Sequence, residues 1–450
     1  MKKIFFIPCL FFIQNILAQN VGIGTTDPKA RLQVADSSVL FSVAGTSQSG
    51  AGMVPEQGTG RRMLWFAPKA ALRAGYAAGN RWDTDSIGLH SFATGNGTLA
   101  KGAYSFSAGF YSKAGTILSI AMGQNSEASG DYAAAIGNYC VAAGLESLAI
   151  GPGNRVYGRG ARGIGYGATA SGDFSISLGD GSFSEGMSAT ATGAATHASG
   201  PNSFASGYFS TASGNAAFSG GAYSVASVNS SFAAGSNCTA TGISSLAMGN
   251  FAYAYGDAAM AMGFSIFAKA KAAATFGEYN DLTDNPSATT ESATDRIFQL
   301  GNGLSNQTRS NAITVLRNGN TGIGTIAPSQ KLQVVGNILA SGTITPSDRR
   351  FKEDIQPITA PLEKLQQING VTYHYKTAEF PANGFDDRQQ VGVIAQEVEA
   401  VLPQLVFTDD KGYKAVDYSK LVPLLIESIK AQQKQIESLQ QEVKKLAAEK

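Results

Sequence analysis

From Gly88 onward, glycine returns at every seventh residue as far as Gly277, and this grid restricts the possible folds more than any other feature of the chain. Of its 28 positions only Thr116, Val228 and Ala270 are not glycine. A seven-residue period invites a coiled coil, but one glycine per heptad costs a helix about 1 kcal/mol per site relative to alanine, and no apolar seam accompanies it. Collagen is excluded because glycine is not every third residue and proline is scarce. Disorder is disfavoured by 43% hydrophobic residues, with aromatics throughout.

Alternate grid glycines close a second pattern, so the unit is fourteen residues: SFATG from Ser91, SFSAG from Ser105, SLAIG from Ser147, SFASG from Ser203, SFAAG from Ser231. The residue two before such a glycine is small in all fourteen units, beginning with Ala93, Ser107, Ala121 and Ala135. The residue before that is mostly large and apolar, as at Phe92, Phe106, Ile120, Leu148 and Phe204. Alternation of this kind points side chains to opposite faces of short strands, with the glycine expected to supply the positive φ of a tight turn. Units of this size make a solenoid, in which each coil buries its apolar face against its neighbours. Two strands per coil, stacked at about 4.8 Å, give a rod on the order of 65 Å for fourteen coils. Residues 88–277 hold only 14 of the chain's Asp, Glu, Lys and Arg residues. Small residues inside leave a thin core, so the large apolar set is best explained by several chains packed side by side.

The repeats over residues 88–277 resemble the head repeats of trimeric autotransporter adhesins. The resemblance implies a mainly β fold, a left-handed parallel β-roll that associates as a homotrimer. Those adhesins end in a membrane β-barrel segment, whereas this sequence ends in KKLAAEK without alternating strands, so their mode of anchoring is not carried over. Cys140 and Cys238 lie 98 residues apart, seven units of fourteen, and should occupy equivalent sites seven coils apart. That separation is beyond disulfide reach within one chain, and both read as small buried hydrophobes.

Around the repeats the chain divides into recognisable segments. Residues 1–18 place Lys2 and Lys3 before an apolar run and end in Ala18, the layout of a secretory signal peptide; about 14 apolar residues fall short of the ~20 that span a bilayer. No other segment is long and apolar enough to span, so export to the cell surface or the extracellular space is expected. A collar motif, VGIGTTDPKARLQV, lies in residues 19–36 and recurs 300 residues later as TGIGTIAPSQKLQV in the linker of residues 278–346. Its glycines lack G-x-G-x-x-G spacing and a following helix, so phosphate binding is not supported. Residues 37–87 contain both tryptophans, Trp65 and Trp82, which either present aromatic faces to a sugar or close the open end of the solenoid; the cap is the preferred reading.

From residue 347 the composition becomes ordinary, with 30 charged residues in the last 104. The text runs SDRRFKEDIQPITAPLEKLQQINGVTYHYK, then VGVIAQEVEAVLPQLV, then VDYSKLVPLLIESIKAQQKQIESLQ. The pattern predicts a helix over residues 361–367, a strand over 371–375, a helix over 393–402 and a long helix from Tyr418. In the long helix Val422, Ile429, Ile436 and Val443 fall at a, and Leu425, Leu439 and Leu446 at d, with Gln432 interrupting. This is a coiled coil over residues 421–450 whose strand number the sequence alone leaves open between two and three.

These motifs, in order, resemble the intramolecular chaperone domain of phage tail-spike endosialidases, a family of self-cleaving serine peptidases that includes membrane-anchored transcription factors. Here it covers residues 347–420, an α+β domain before the coiled coil. The resemblance implies trimerisation, guidance of the preceding fibre's folding, and then self-cleavage. It maps the nucleophile to Ser347, the base to Lys352 and the cleaved bond to Pro346–Ser347; beside it, Asp348, Arg350 and Glu397 are supporting candidates read from the residues, Arg350 as positive charge near the lysine and Glu397 to orient the lysine or water. A serine hydroxyl needs a base to take its proton, and a lysine serves only when burial or nearby positive charge disfavours its cation. Taken bare, a serine and a lysine five apart read more simply as a helix cap with solvated charges; the two downstream motifs shift the reading to autoproteolysis. The alternative is a structural surface or tail-fibre protein whose uncleaved chaperone domain stays as a stalk.

Other chemistries find little support. His90, His197 and His374 are scattered without metal-ligand spacing, and no cofactor is implied. Acidic residues along the rod are too sparse for the carboxylate pair of a glycan-active enzyme. A formal net charge of +1 offers nucleic acid no electrostatic partner. The expected partners are further copies of the chain and an unidentified glycan or matrix-protein ligand.

Overall fold

A computed structural model describes residues 20–47, 52–336, 338, 347–380, 383, 385, 387–409 and 411–449. The expected signal peptide, residues 1–18, and Pro346 of the expected cleavage bond lie outside them. The chain forms two compact units, Met1–Glu146 and Ser147–Lys450. It is mainly β, a solenoid of short coils followed by an α+β segment and a C-terminal helix.

In the first unit the collar forms a two-stranded parallel sheet, β1 (Val21–Ile23) with β2 (Leu32–Val34). An antiparallel hairpin, Gly60–Phe66 with Ala71–Ala77, opens the solenoid. Its second strand pairs in parallel with Phe92–Asn96, which pairs with Phe106–Phe110 and then Ile120–Gln124. The register advances by fourteen at each step, Phe92 facing Phe106 and Leu99 facing Lys113. The second unit repeats this ladder from Leu148–Ile150 to Ala274–Glu278, and then pairs Arg296–Asn302 in parallel with the last coil.

The interior of each coil is alanine, serine and a few other small residues. Ala191, Ala205, Ser219, Ala233 and Ala247 form one fully buried ladder, and Ala198, Ala212, Ala226 and Ala240 a second. Cys140 and Cys238 both sit in a third, buried, with Sγ turned to the carbonyl four residues earlier, Ile136 at 3.5 Å and Ala234 at 3.3 Å. Burial pushes the Cys238 thiol up from its ordinary value. These are the equivalent interior sites that a spacing of seven units demands.

The positive φ expected of the glycines holds in one of the two grid series, but the tight corners lie elsewhere and the glycines have a second job. The left-handed corners fall two residues after each grid position: every seventh residue from His90 to Tyr279 has φ between +46° and +73°, and only five of these are glycine. At these corners Tyr223 N–H donates to Tyr208 O at 2.9 Å and Asn237 N–H to Ala222 O at 2.8 Å, so the strained residue completes the bonding between coils. The grid glycines instead sit where coils touch. A Cβ built on Gly207 would overlap the carbonyl oxygen of Gly221, its equivalent in the next coil, and one on Gly88 would overlap the Gly102 carbonyl. The series from Gly95 to Gly277 also has φ of +89° to +145°, and all fourteen members are glycine. The three exceptions all fall in the other series, which has no positive φ; there the Thr116 hydroxyl bonds the Gly130 carbonyl at 2.6 Å.

The hairpin closes the first coil with large side chains. Trp82 is fully buried with its Nε1 donating to Thr98 O at 2.9 Å, so it caps the solenoid and offers no face to a sugar, while Trp65 is exposed on the hairpin. Arg73 stands opposite Ala93, where the ladder is otherwise small, and its guanidinium spreads under the first coil. It donates to Leu72 O, Ser91 O, Ser91 Oγ and Ala100 O at 2.7–3.0 Å. Burial lowers its pKa to about 10, so it is still a cation at neutral pH.

The α+β segment comprises α1 (Pro361–Leu365), an antiparallel pair Gly370–Tyr373 with Gln390–Val393, α2 (Ala395–Val401), a hairpin Val406–Thr408 with Lys414–Val416, and α3 (Leu421–Ala448). Its core is Val398, Leu402, Leu405 and Leu424, with Ile358, Leu365, Val393 and Val416 packed against them. Each element lies within a few residues of its sequence expectation.

Two stability measurements test this account. Gly123→Ala, at φ +111° and against the Gly137 carbonyl, should cost at least about 2 kcal/mol. Gly115→Ala, whose new Cβ would lie 3.7 Å from its nearest neighbour, should leave the thermal midpoint nearly unchanged. Arg73→Ala should cost about 3 kcal/mol through lost packing and orphaned carbonyls. Hydrogen exchange should then show the first coil, Phe92–Asn96, opening ahead of the rest, with exposed Arg61→Ala as the neutral control.

Candidate functional site

Ser347 and Lys352 are brought together by one turn. Asp348 caps a 3-10 turn at Arg349–Phe351, its carboxylate accepting from Arg350 N–H at 2.9 Å, and Lys352 N–H closes the turn on Arg349 O at 3.1 Å. Folding five residues back in this way sets Lys352 Nζ 2.8 Å from Ser347 Oγ, to which it donates a hydrogen bond. The turn cap is therefore Asp348; Ser347 is left with its hydroxyl free to face the lysine.

Arg350 does not lean on Lys352. It forms an ion pair with Asp348 at 2.7 Å, which holds the Asp348 carboxyl below the usual carboxylate range and raises the guanidinium pKa further. Ser347 and Lys352 are both exposed in the single chain.

Glu397 is occupied elsewhere. Its carboxylate accepts from the backbone and side-chain nitrogens of Asn369 at 3.4 and 3.1 Å, and among the described residues no contact joins it to Ser347 or Lys352. It fastens the Asn-Gly turn of the first motif to the first turn of α2. A second fastening was invisible in the sequence: Tyr418 Oη accepts from Val393 N–H at 3.1 Å, and its ring passes so close over Gly392 that a Cβ there would strike the hydroxyl. The spaced motifs thus converge on one small body. A tyrosine next to Asp417, which caps the turn into α3, was the only local hint.

The second feature is a set of bare apolar faces. Along the solenoid, Phe204, Phe218 and Phe232 stack outward with centroids 5.4 and 4.5 Å apart and planes within 9°. Exposed Ile164, Leu178 and Met260 occupy the corresponding position or the next outward one in other coils. On α3, every expected a and d residue is exposed: Val422, Leu425, Ile429, Ile436, Leu439, Val443 and Leu446. The opposite side of the helix carries Leu424 into the domain core. No described helix is long and apolar enough to cross a membrane, and no described cluster of His, Cys, Asp and Glu could hold a metal.

Residues 347–407 match the chaperone of endosialidase family. Residues 117–139, 163–182, 184–210 and 240–265 match the YadA head domain repeat. The Long tail fiber protein Gp37 of Salmonella phage S16 is 36% identical over 103 residues, 22% of this chain and 14% of the phage protein. Myelin regulatory factor homolog 1 of Caenorhabditis elegans is 39% identical over 98 residues, 21% of this chain and 10% of its own. The Gp37 of Enterobacteria phage K3 is 32% identical over 108 residues, 23% and 8% respectively. The chain therefore spans about a seventh or less of the length of these relatives.

Proposed function

We propose that the protein is an exported, homotrimeric fibre of adhesin type whose C-terminal domain drives assembly and then releases itself by cutting the Pro346–Ser347 bond. The observation that carries this reading is the 2.8 Å contact between Lys352 Nζ and Ser347 Oγ, in a segment matching a chaperone domain directly behind a stack of head repeats. The bare seam of α3 and the bare apolar faces of the coils support assembly side by side, since such surfaces are covered in stable proteins.

In the proposed step, Lys352 accepts the proton of the Ser347 hydroxyl as Oγ attacks the carbonyl carbon of Pro346. The carbon–nitrogen bond breaks, the proton passes to the departing Ser347 amine, and an ester joins the two parts. Water hydrolyses the ester, leaving a carboxylate on Pro346 and a free amine and hydroxyl on Ser347. Covering of the exposed pair in the assembled state would supply the desolvation the lysine needs. The alternative is an uncleaved domain that remains as a stalk, and the exposure of the pair in the single chain is the observation that favours it.

Expression of the wild type beside Ser347→Ala and Lys352→Ala separates the two. Cleavage yields a fragment of 104 residues in the wild type alone, with mass spectrometry finding Ser347 at its start. An intact wild-type chain would establish the stalk, and any other start refutes the assigned bond. Placing charge in the seam, with Ile429→Asp and Ile436→Asp together, should reduce the mass found by sedimentation equilibrium from three chains to one and abolish cleavage.

A further inference from the structure

The two collars fold alike. Asn20 and Asn320, one residue before each motif, donate from Nδ2 to Pro28 O and Pro328 O, both at 3.1 Å. Gln33 and Gln333 accept from Lys29 N–H and Ser329 N–H at 2.7 and 2.9 Å. Ala35 N–H and Val335 N–H return to Ile23 O and Ile323 O at 2.8 and 3.0 Å.

They differ at one edge. In the second collar a third strand, Asn311–Leu316, runs antiparallel along Thr321–Ile323, with Ile313 opposite Ile323 and Thr314 opposite Gly322. Gly324 N–H donates to Ala312 O at 3.0 Å and Leu316 N–H to Asn320 O at 2.8 Å. In the first collar β1 and β2 form a two-stranded sheet, and among the described residues no strand lies on the outer edge of β1. By the same offset of 300, the strand that fills this edge would be residues 11–16, inside the expected export signal. Just after β2 lies V-L-F-S-V, residues 39–43, with strand composition and no strand partner among the described residues; Leu40 is 84% and Phe41 71% exposed. An unpaired edge and an exposed apolar strand each promote pairing with another chain.

We propose that residues 39–43 of a second copy add antiparallel to the outer edge of β1, filling the place that Asn311–Leu316 fills in the duplicate. This rests on the side-by-side assembly above. The second copy is indicated because the chain's own residues 39–43 pair with no strand among the described residues, while the exposed apolar faces of the coils already call for copies side by side. Each collar in the assembly is then stitched to its neighbour by main-chain hydrogen bonds.

Two measurements on the full chain test this, with sedimentation as the check on assembly. Hydrogen exchange at Gly22 and Gly24, whose equivalents face the third strand in the duplicate, should be slowed at least about 10-fold in the wild type relative to Phe41→Pro, which breaks the added strand. Equal rates in the two proteins overturn the proposal. Ile23→Cys, combined in turn with cysteine at Val39, Leu40, Phe41 and Val43, should yield a disulfide between chains on a non-reducing gel in at least one combination. Disulfides only within chains, or none, overturn it. A protein that sediments as three chains but fails both measurements loses the stitched collar and keeps the assembly; one that sediments as a single chain refutes the assembly itself.

Discussion

Every other feature of the head depends on the contact between equivalent backbone atoms in successive coils. Stacked strands bring coils close enough that, at two points per turn, a carbonyl oxygen lies where the Cβ of the equivalent residue in the neighbouring coil would be. Glycine is the residue without a Cβ, so the stacking writes the seven-residue grid into the sequence. Where the backbone at that point also takes a positive φ, no substitute occurs; where φ is ordinary, Thr116, Val228 and Ala270 are accommodated. The interior must then be small, because two strands so close leave room for alanine and serine and little else. A core of that size buries little apolar surface per residue, and the larger side chains accumulate outside, where another chain can cover them.

The ends of such a stack are its weak points, since the first and last coils have a neighbour on one side only. At the N-terminal end the solution is bulk and charge: Trp82 fills space, and Arg73 reaches carbonyls that would otherwise face an empty interior. Farther along, Asn311 Nδ2 bonds Gln299 Oε1 at 2.9 Å and Arg296 pairs with Asp281 at 2.6 Å as the parallel ladder gives way to an antiparallel hairpin. Polar side chains terminate what apolar stacking cannot, as expected for capping segments of solenoids.

The C-terminal domain follows another logic. Its motifs are separated by ordinary loops, and tertiary fastenings bring them together: Asn369 with Glu397, Tyr418 with Val393. The turn at Asp348 is by contrast local, and it sets two side chains five residues apart within hydrogen-bonding distance. In the proposed function this pair reacts only when assembly covers it, which would link assembly to cleavage.

The repeat period, the equivalence of Cys140 and Cys238 and the helix positions of the last hundred residues were legible in the sequence, whereas the assignment of Ser347 and Lys352 as a pair came from a family resemblance, the bare spacing reading more simply as a cap. The legible features depend on periodicity or on short chain separation, and such information is local. The sequence by itself determined that the chain stacks in units of fourteen and carries a heptad seam. Only the tertiary structure decided that the left-handed corners fall two residues after the glycines, that Trp82 is buried rather than displayed, that Glu397 holds Asn369, and that a third strand fills one collar edge while no strand among the described residues fills the other. Those outcomes depend on which backbone and side-chain groups meet across distant segments, and contacts of that kind leave no period in the chain.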